Sequence, residues 1–250
     1  SFMAEYKFPT EMVELPSKGY FYFEGHPLSS GKVEIKYMTA KEEDILTSQN
    51  LIQQGTVIDK LLESLIVDKS IKIDDMLVGD KNAIMLSARI LGYGKEYEFE
   101  YDGVEQSVDL SKLEAVDLDF SKFTKGQNEF SFELPNSKRT VTFKLLSGND
   151  EKTISAEIEA RKKINKDVSV ELTTRLKQMI LSVDGKTEKS YINNFVENEF
   201  LSRDSYALRE YLVDITPDVD MSVKITNSTG KEVEVAVPIT VRFFWPSTGV

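Results

Sequence analysis

The stretch Met38–Gly94, MTAKEEDILTSQNLIQQGTVIDKLLESLIVDKSIKIDDMLVGDKNAIMLSARILGYG, predicts three capped helices in close succession. Thr39 and Glu42 have the spacing of a capping box, in which a hydroxyl and a carboxylate satisfy free backbone amides at a helix start. Asp80 is predicted to cap the third helix, and Gly92 is expected to help end it. These helices form the central element from which the rest of the fold is predicted.

Alternating apolar and polar residues predict strands on both sides of this helical stretch. One strand is expected at Lys32–Tyr37. Three antiparallel hairpins are expected around the turns Asp102–Gly103 and Pro135–Ser137 and between Met221 and Val237. The last strand is expected to end in the aromatic residues at Phe243–Trp245.

Between the second and third hairpins the pattern is helical, with a turn at Asp184–Gly185 and with Ser202 or Asp204 as the cap of the last helix. The predicted helices are Asp150–Ile164, Val168–Leu181, Lys189–Glu197 and Asn198–Val213. Because strands and helices are segregated along the chain, the fold class is predicted to be α+β, with helical segments and antiparallel β-hairpins.

The predicted organisation is an N-terminal arm followed by two lobes. Residues 1–30 form an extended, aromatic arm that packs on its own domain or on a neighbouring subunit; Ser1 and Phe2, before Met3, are interpreted as a remnant of cloning. Residues 31–147 form a lobe of helices and hairpins, and residues 148–250 a helical lobe with the C-terminal hairpin. The boundary is expected near Ser147–Asp150.

Composition argues against several classes of partner. The formal net charge is -11, and phosphate binding needs a concentrated basic surface, so nucleic acid is not an expected partner. The chain has 0 cysteines, which excludes disulfides and thiolate metal sites. No apolar run approaches the length that spans a bilayer, so a membrane is not an expected partner either.

The sequence shows no arrangement typical of an active site. His26 is the one histidine and lies in a turn, so it is interpreted as an ordinary loop residue. Gly185–Thr187 resembles the end of a phosphate-binding loop but lacks the earlier glycine. The acidic residues between Asp68 and Asp80 do not have the spacing of a calcium loop. We therefore predict no catalytic residue, no cofactor and no metal.

Two aromatic clusters suggest docking surfaces, because aromatic rings are enriched at protein interfaces. The candidate interface residues are Tyr20, Phe21, Tyr22, Phe23, Phe243, Phe244 and Trp245. Burial in the chain's own core is the alternative interpretation, at least for Phe243 and Trp245. On the docking hypothesis, Phe21→Ala and Trp245→Ala leave the fold intact and weaken an interaction.

Several short sequence segments, taken together, resemble the baseplate hub subunit family of T-even-type contractile-tailed bacteriophages. They are LPSKG at Leu15–Gly19, MTAKEEDIL at Met38–Leu46, GDKNAI at Gly79–Ile84, RILGYG at Arg89–Gly94 and FFWP at Phe243–Pro246. The resemblance is dense over about Leu15–Tyr101, thin through the middle of the chain and present again at its end. That family has no catalytic motif, so the resemblance implies no catalytic residue.

The resemblance implies a protein that acts in baseplate assembly through protein–protein contacts, as a structural subunit or as an assembly factor. Its expected partners are other phage baseplate or hub proteins, and a homo-oligomer is left open. The expected location is the host cytoplasm during assembly and then the tail baseplate of the virion. The alternative is a tail-associated hydrolase that uses two carboxylates.

Overall fold

The structure, a computed structural model, describes residues 9–244. Its helices are α1 (Ala40–Leu46), α2 (Gln49–Gln54), α3 (Val57–Leu65), α4 (Val78–Tyr93), α5 (Gly148–Lys162), α6 (Glu171–Met179), α7 (Lys189–Asn194) and α8 (Ser202–Ile215). Its strands are β1 (Thr10–Glu14), β2 (Lys32–Lys36), β3 (Glu96–Tyr101), β4 (Val104–Asp109), β5 (Phe130–Glu133), β6 (Thr140–Phe143), β7 (Ile180–Val183), β8 (Ser222–Thr226) and β9 (Glu232–Ala236).

Helices and small antiparallel sheets confirm the predicted α+β class. The strands pair as β1–β2, β3–β4, β5–β6–β7 and β8–β9. Each of the three predicted hairpins is present, and the first turns through Asp102 and Gly103, at φ 51° and 73°. Both values lie in the left-handed region that this type of hairpin turn requires, which explains why an Asp-Gly pair predicts it well.

Several predicted elements differ from the structure. The first of the three helices predicted in Met38–Gly94 is divided into α1 and α2, and the helix predicted at Asn198–Val213 begins at Ser202. Val168–Leu181 was expected to be a single helix, but α6 ends at Met179 and the next residues form β7, which pairs with β6 through Val141 and Val183. The last strand ends at Ala236 and not in the aromatic cluster, because residues 241–244 form a 3₁₀ turn. Trp245 lies outside the described residues.

The described part of the N-terminal arm, residues 9–30, packs on its own domain. Its strand β1 pairs with β2 so that Val13 lies opposite Val33, and both side chains are buried. From Pro16 to Ser30 the arm is a series of turns, in which Leu28 is fully buried. The expected extended arm is therefore a short strand followed by compact turns.

A continuous apolar core includes side chains from both predicted lobes. Phe143, Phe195 and Phe243 are among the large side chains that it buries completely. The division into residues 31–147 and 148–250 stays a prediction. None of the helices described in residues 9–244 is both long enough and apolar enough to cross a membrane.

The predicted capping residue Glu42 joins three elements of this core. The carboxylate of Glu42 is fully buried and accepts hydrogen bonds from the Thr39 backbone N–H at 2.8 Å, the Ser64 hydroxyl at 2.9 Å and the Lys36 ammonium at 2.7 Å. Burial alone would raise its pKa, but these hydrogen bonds outweigh burial and lower the pKa of Glu42 to about 2.

A carboxylate whose pKa is lower in the folded than in the unfolded state stabilises the fold at neutral pH. This stabilisation is lost as the carboxylate is protonated at low pH. We expect the free energy of unfolding to fall by about 2 kcal/mol as pH drops from about 5 to 2, after allowing for solvent screening at Lys36. Urea titrations across this pH range measure the effect. Glu42→Gln, which cannot titrate, should show a shallower loss, and an unchanged slope would contradict the prediction.

Candidate interface

The four consecutive aromatic residues of the N-terminal arm lie in different environments. Phe21 and Tyr22 are buried, and Tyr20 is half-buried against the ring of Phe120, with ring centroids 4.8 Å apart. Phe23 is 64% exposed. Among these four residues, Phe23 is therefore the one that presents most of its ring to solvent.

Phe21 is part of an aromatic core. Its ring contacts those of Phe123 and Phe130, with centroids 5.3 and 5.4 Å away. Truncating a buried phenylalanine to alanine typically costs about 3–5 kcal/mol. We therefore expect Phe21→Ala to destabilise the fold, and Phe23 is the suitable position for probing contacts.

Tyr22 and Ser17 connect the arm to helix α4 through a buried carboxylate. Asp80 accepts hydrogen bonds from the Ser17 N–H at 3.0 Å, the Ser17 hydroxyl at 2.6 Å and the Tyr22 hydroxyl at 2.6 Å. The Tyr22 oxygen in turn accepts the Leu77 N–H at 2.9 Å. Asp80 does not cap its helix as predicted, because α4 begins at Val78 and Asp80 is its third residue.

Burial affects the pKa values of both Asp80 and Tyr22 in this network. Burial raises the pKa of Asp80, and the hydrogen bonds from Ser17 and Tyr22 oppose that effect. Burial and the adjacent Asp80 carboxylate raise the pKa of Tyr22 far above its ordinary range. Tyr22 therefore remains a hydrogen-bond donor, and the arm is held on α4 by neutral donors.

The four carboxylates that are buried within residues 9–244 share one helical position. Glu42, Asp80, Asp150 and Asp204 are each the third residue of their helix. A negative charge is favourable there because backbone N–H groups and the helix dipole face it. In the sequence a capping box marks this role at Glu42, whereas Asp80 has only the pattern of a helix cap.

Asp204 also differs from its predicted role as a helix cap. It accepts hydrogen bonds from the backbone N–H groups of Asn136 and Ser137 at 2.8 and 3.0 Å, which fixes the second hairpin turn against α8. Burial would raise the pKa of Asp204, but these hydrogen bonds hold it below its ordinary value. Ser202 is the first residue of α8 and also does not precede it as a cap.

A groove of about 390 Å³ lies beside the exposed Phe23 ring. Its lining comes from the N-terminal arm, from the segments before α4 and β5, from the residue after β6 and from the start of α5. The lining residues are Phe21, Tyr22, Phe23, His26, Asp75, Leu77, Asn128, Lys144, Ser147, Asn149 and Asp150. Residues distant in sequence therefore meet around one aromatic side chain.

His26 is fixed at the edge of this groove. Its ring stacks on Tyr22 and meets Phe23 edge-on, with centroid distances of 5.2 and 4.9 Å. Nδ1 accepts the Leu28 N–H at 3.0 Å, and Nε2 lies 3.9 Å from the Asp75 carboxylate. These contacts give His26 a structural role in the arm, as expected for a loop histidine.

Comparison with known families identifies the chain. The family model described as T4 bacteriophage base plate protein matches residues 10–245, nearly the whole chain. The chain belongs to this family. Searches of curated proteins and of solved structures give no significant match. The resemblance drawn from the sequence is thus confirmed at the level of a T4-type baseplate protein.

In this baseplate protein the described residues of the second aromatic cluster, Phe243 and Phe244, lie in the core. Phe243 and Phe244 are fully buried, and the Phe243 ring lies 5.1 Å from that of Tyr97. Beside them Arg89 is buried against aromatic rings and donates to the carbonyl oxygens of Gly94 and Glu96 at 2.8 and 3.0 Å. For Phe243 the structure shows the alternative that the sequence left open, burial in the chain's own core, and Phe244 is buried there as well.

The described part of this baseplate protein contains no cluster of three or more histidine, cysteine, aspartate or glutamate side chains that could hold a metal ion. The exposed Phe23 ring, the groove beside it and the family membership are the observations that bear on function.

Proposed function

We propose that this baseplate protein works in the hub of the phage tail baseplate through protein–protein contacts. Membership of the T4 base plate protein family carries the proposal. The exposed Phe23 ring beside a groove supports it, because aromatic side chains and concave surfaces are common at binding sites. The partners are other baseplate or hub proteins, met in the host cytoplasm as the tail assembles.

The protein acts either as a permanent hub subunit or as an assembly factor that later leaves. Quantitative mass spectrometry of purified virions and of isolated baseplate intermediates separates these roles. We expect the chain in the intermediates. A fixed copy number in both preparations defines a structural subunit, whereas loss from virions defines an assembly factor. Absence from both would overturn the proposed function.

The role we propose is not enzymatic. Glycoside hydrolysis needs a carboxylic acid with a raised pKa near a second carboxylate. Asp150 in the groove has the opposite property, because hydrogen bonds from Lys144, Ser147 and Gln178 outweigh burial and lower its pKa. Release of soluble fragments from peptidoglycan by the purified chain, absent in an Asp75→Asn, Asp150→Asn double variant, would replace this proposal with the hydrolase alternative.

A further inference from the structure

We propose that the groove beside Phe23 binds an arginine side chain of a partner baseplate protein, with its guanidinium on the Phe23 ring and paired with the Asp75 carboxylate. The inference rests on the proposed function and adds the chemistry of the contact. Four observations support it: the shape of the groove, its exposed ring, its net charge and the acceptor capacity of Asp75.

The groove has the size and the wall that a flat cation requires. Its volume of about 390 Å³ falls within the usual range of about 300–1,000 Å³ for ligand sites. One wall is the Phe23 ring, which is 64% exposed and is oriented by its edge-on contact with His26. A cation placed over an aromatic face is attracted by the negative charge of the ring face.

The charges in the groove leave one carboxylate without a lysine or arginine partner within residues 9–244. Lys144 lies 2.8 Å from Asp150, so these two charges compensate each other. Just outside, Lys152 lies 2.6 Å from Asp74. Asp75 has no such cation among these residues, and the His26 ring nitrogen Nε2 lies 3.9 Å from its carboxylate. The groove therefore attracts a positive charge.

Asp75 also retains the capacity to accept hydrogen bonds. Its Oδ1 accepts from Asn149 Nδ2 at 3.1 Å, while its Oδ2 lies beyond hydrogen-bond distance of His26 Nε2. The side chain is 38% exposed. A guanidinium fits better than an ammonium, because it is planar, stacks on a ring and presents several donors to one carboxylate.

The probe for this inference is N-acetyl-arginine amide, and its binding is detected by nuclear magnetic resonance of the His26 ring. The chain contains 1 histidine, so the imidazole signal is assigned without further work, and it comes from the groove itself. We expect a saturable shift with a dissociation constant of about 1–10 mM. N-acetyl-citrulline amide has nearly the same shape without the charge, and we expect it to bind at least about tenfold more weakly.

Variants assign the binding to the proposed residues. Asp75→Asn should weaken arginine binding at least about tenfold, and Phe23→Ala about threefold or more. Asp117→Asn and Tyr206→Ala are the matched controls, because both residues are exposed and lie outside the lining of the groove. Both controls should bind like the unchanged chain. Thermal unfolding establishes that each variant is folded.

Equal binding by Asp75→Asn, equal binding of the citrulline probe or no saturable shift would overturn the inference and leave the hub role standing. Conversely, absence of the chain from virions and intermediates would remove the hub role without altering the arginine titration. The partner is tested in infected cells, where Asp75→Asn should lower the yield of complete baseplates at least about tenfold relative to Asp117→Asn. Equal yields would overturn the assignment of the arginine to a baseplate partner.

Discussion

Asp80→Ala should lower the free energy of unfolding by about 4 kcal/mol. The substitution leaves the Ser17 N–H, the Ser17 hydroxyl and the Tyr22 hydroxyl without their shared acceptor. Each unsatisfied buried donor costs about 1–3 kcal/mol. Burial of the Asp80 carboxylate is itself unfavourable, and this burial raises its pKa. Because Asp80→Ala removes that unfavourable contribution, the net loss of stability is smaller than the sum for the three donors. Urea denaturation followed by circular dichroism measures the loss.

Two further variants show whether the buried network is the cause. Tyr22→Phe removes the hydroxyl that connects Asp80 to the Leu77 N–H, and we expect it to cost about 1–2 kcal/mol. Asp117→Ala, at an exposed position, should leave the unfolding midpoint nearly unchanged. An Asp80→Ala midpoint equal to that of Asp117→Ala would show that the network does not hold the arm on α4.

The second large effect is expected at Gly79→Ala, which should prevent the native fold or destabilise it by more than about 4 kcal/mol. A Cβ atom at Gly79 would lie 1.8 Å from the carbonyl oxygen of Pro217. Since that atom belongs to the backbone, it cannot rotate away. The gain in helix propensity of about 1 kcal/mol is too small to offset the overlap.

Gly148→Ala is the matched control for this effect. Gly148 also lies in the first turn of a helix, but a Cβ there would lie 3.1 Å from the Asp74 Cα, a tight contact that a small shift relieves. We expect a loss of about 1 kcal/mol or less. The yield of folded protein and the urea midpoint compare the two variants. Similar behaviour of both would contradict the close approach of α4 to Pro217.

The elements that the sequence predicted well depend on local signals. The hairpin at Asp102–Gly103 combines alternating strands with a turn that only a few residue pairs favour. The helix after Thr39 has a capping residue and an acidic residue three positions later. In both cases the information lies within a few residues, so it can be read without knowing what packs against the element.

The elements that the sequence missed depend on distant partners. Ile180–Val183 is an apolar run that suits a buried helix or a strand equally well, and its pairing with Thr140–Phe143 decides the outcome. Asp80 has the sequence surroundings of a helix cap. Its donors Ser17 and Tyr22 lie 63 and 58 residues away in the sequence, so no local sequence pattern predicts this hydrogen-bond network.

The candidate site likewise depends on contacts between residues that are distant in the sequence. The run of aromatic residues indicates a candidate interface at Tyr20–Phe23. The alternation of side-chain directions along the chain does not determine which of these rings faces solvent. The groove beside Phe23 is also lined by Asp75, Lys144 and Asp150, which only the tertiary fold brings close to Phe23. The sequence therefore predicted the region of the site and not its charged lining.

The packing of the first hairpin against the last has a consequence for synthesis on the ribosome. Gln106 Nε2 donates to the Thr226 carbonyl at 2.9 Å, and Tyr97 packs against Phe243. Ribosomes add about 5–20 residues per second, so the first hairpin emerges about 7–30 s before the residues that cover it. During that interval its apolar face is open to nascent-chain chaperones and to other unfinished copies.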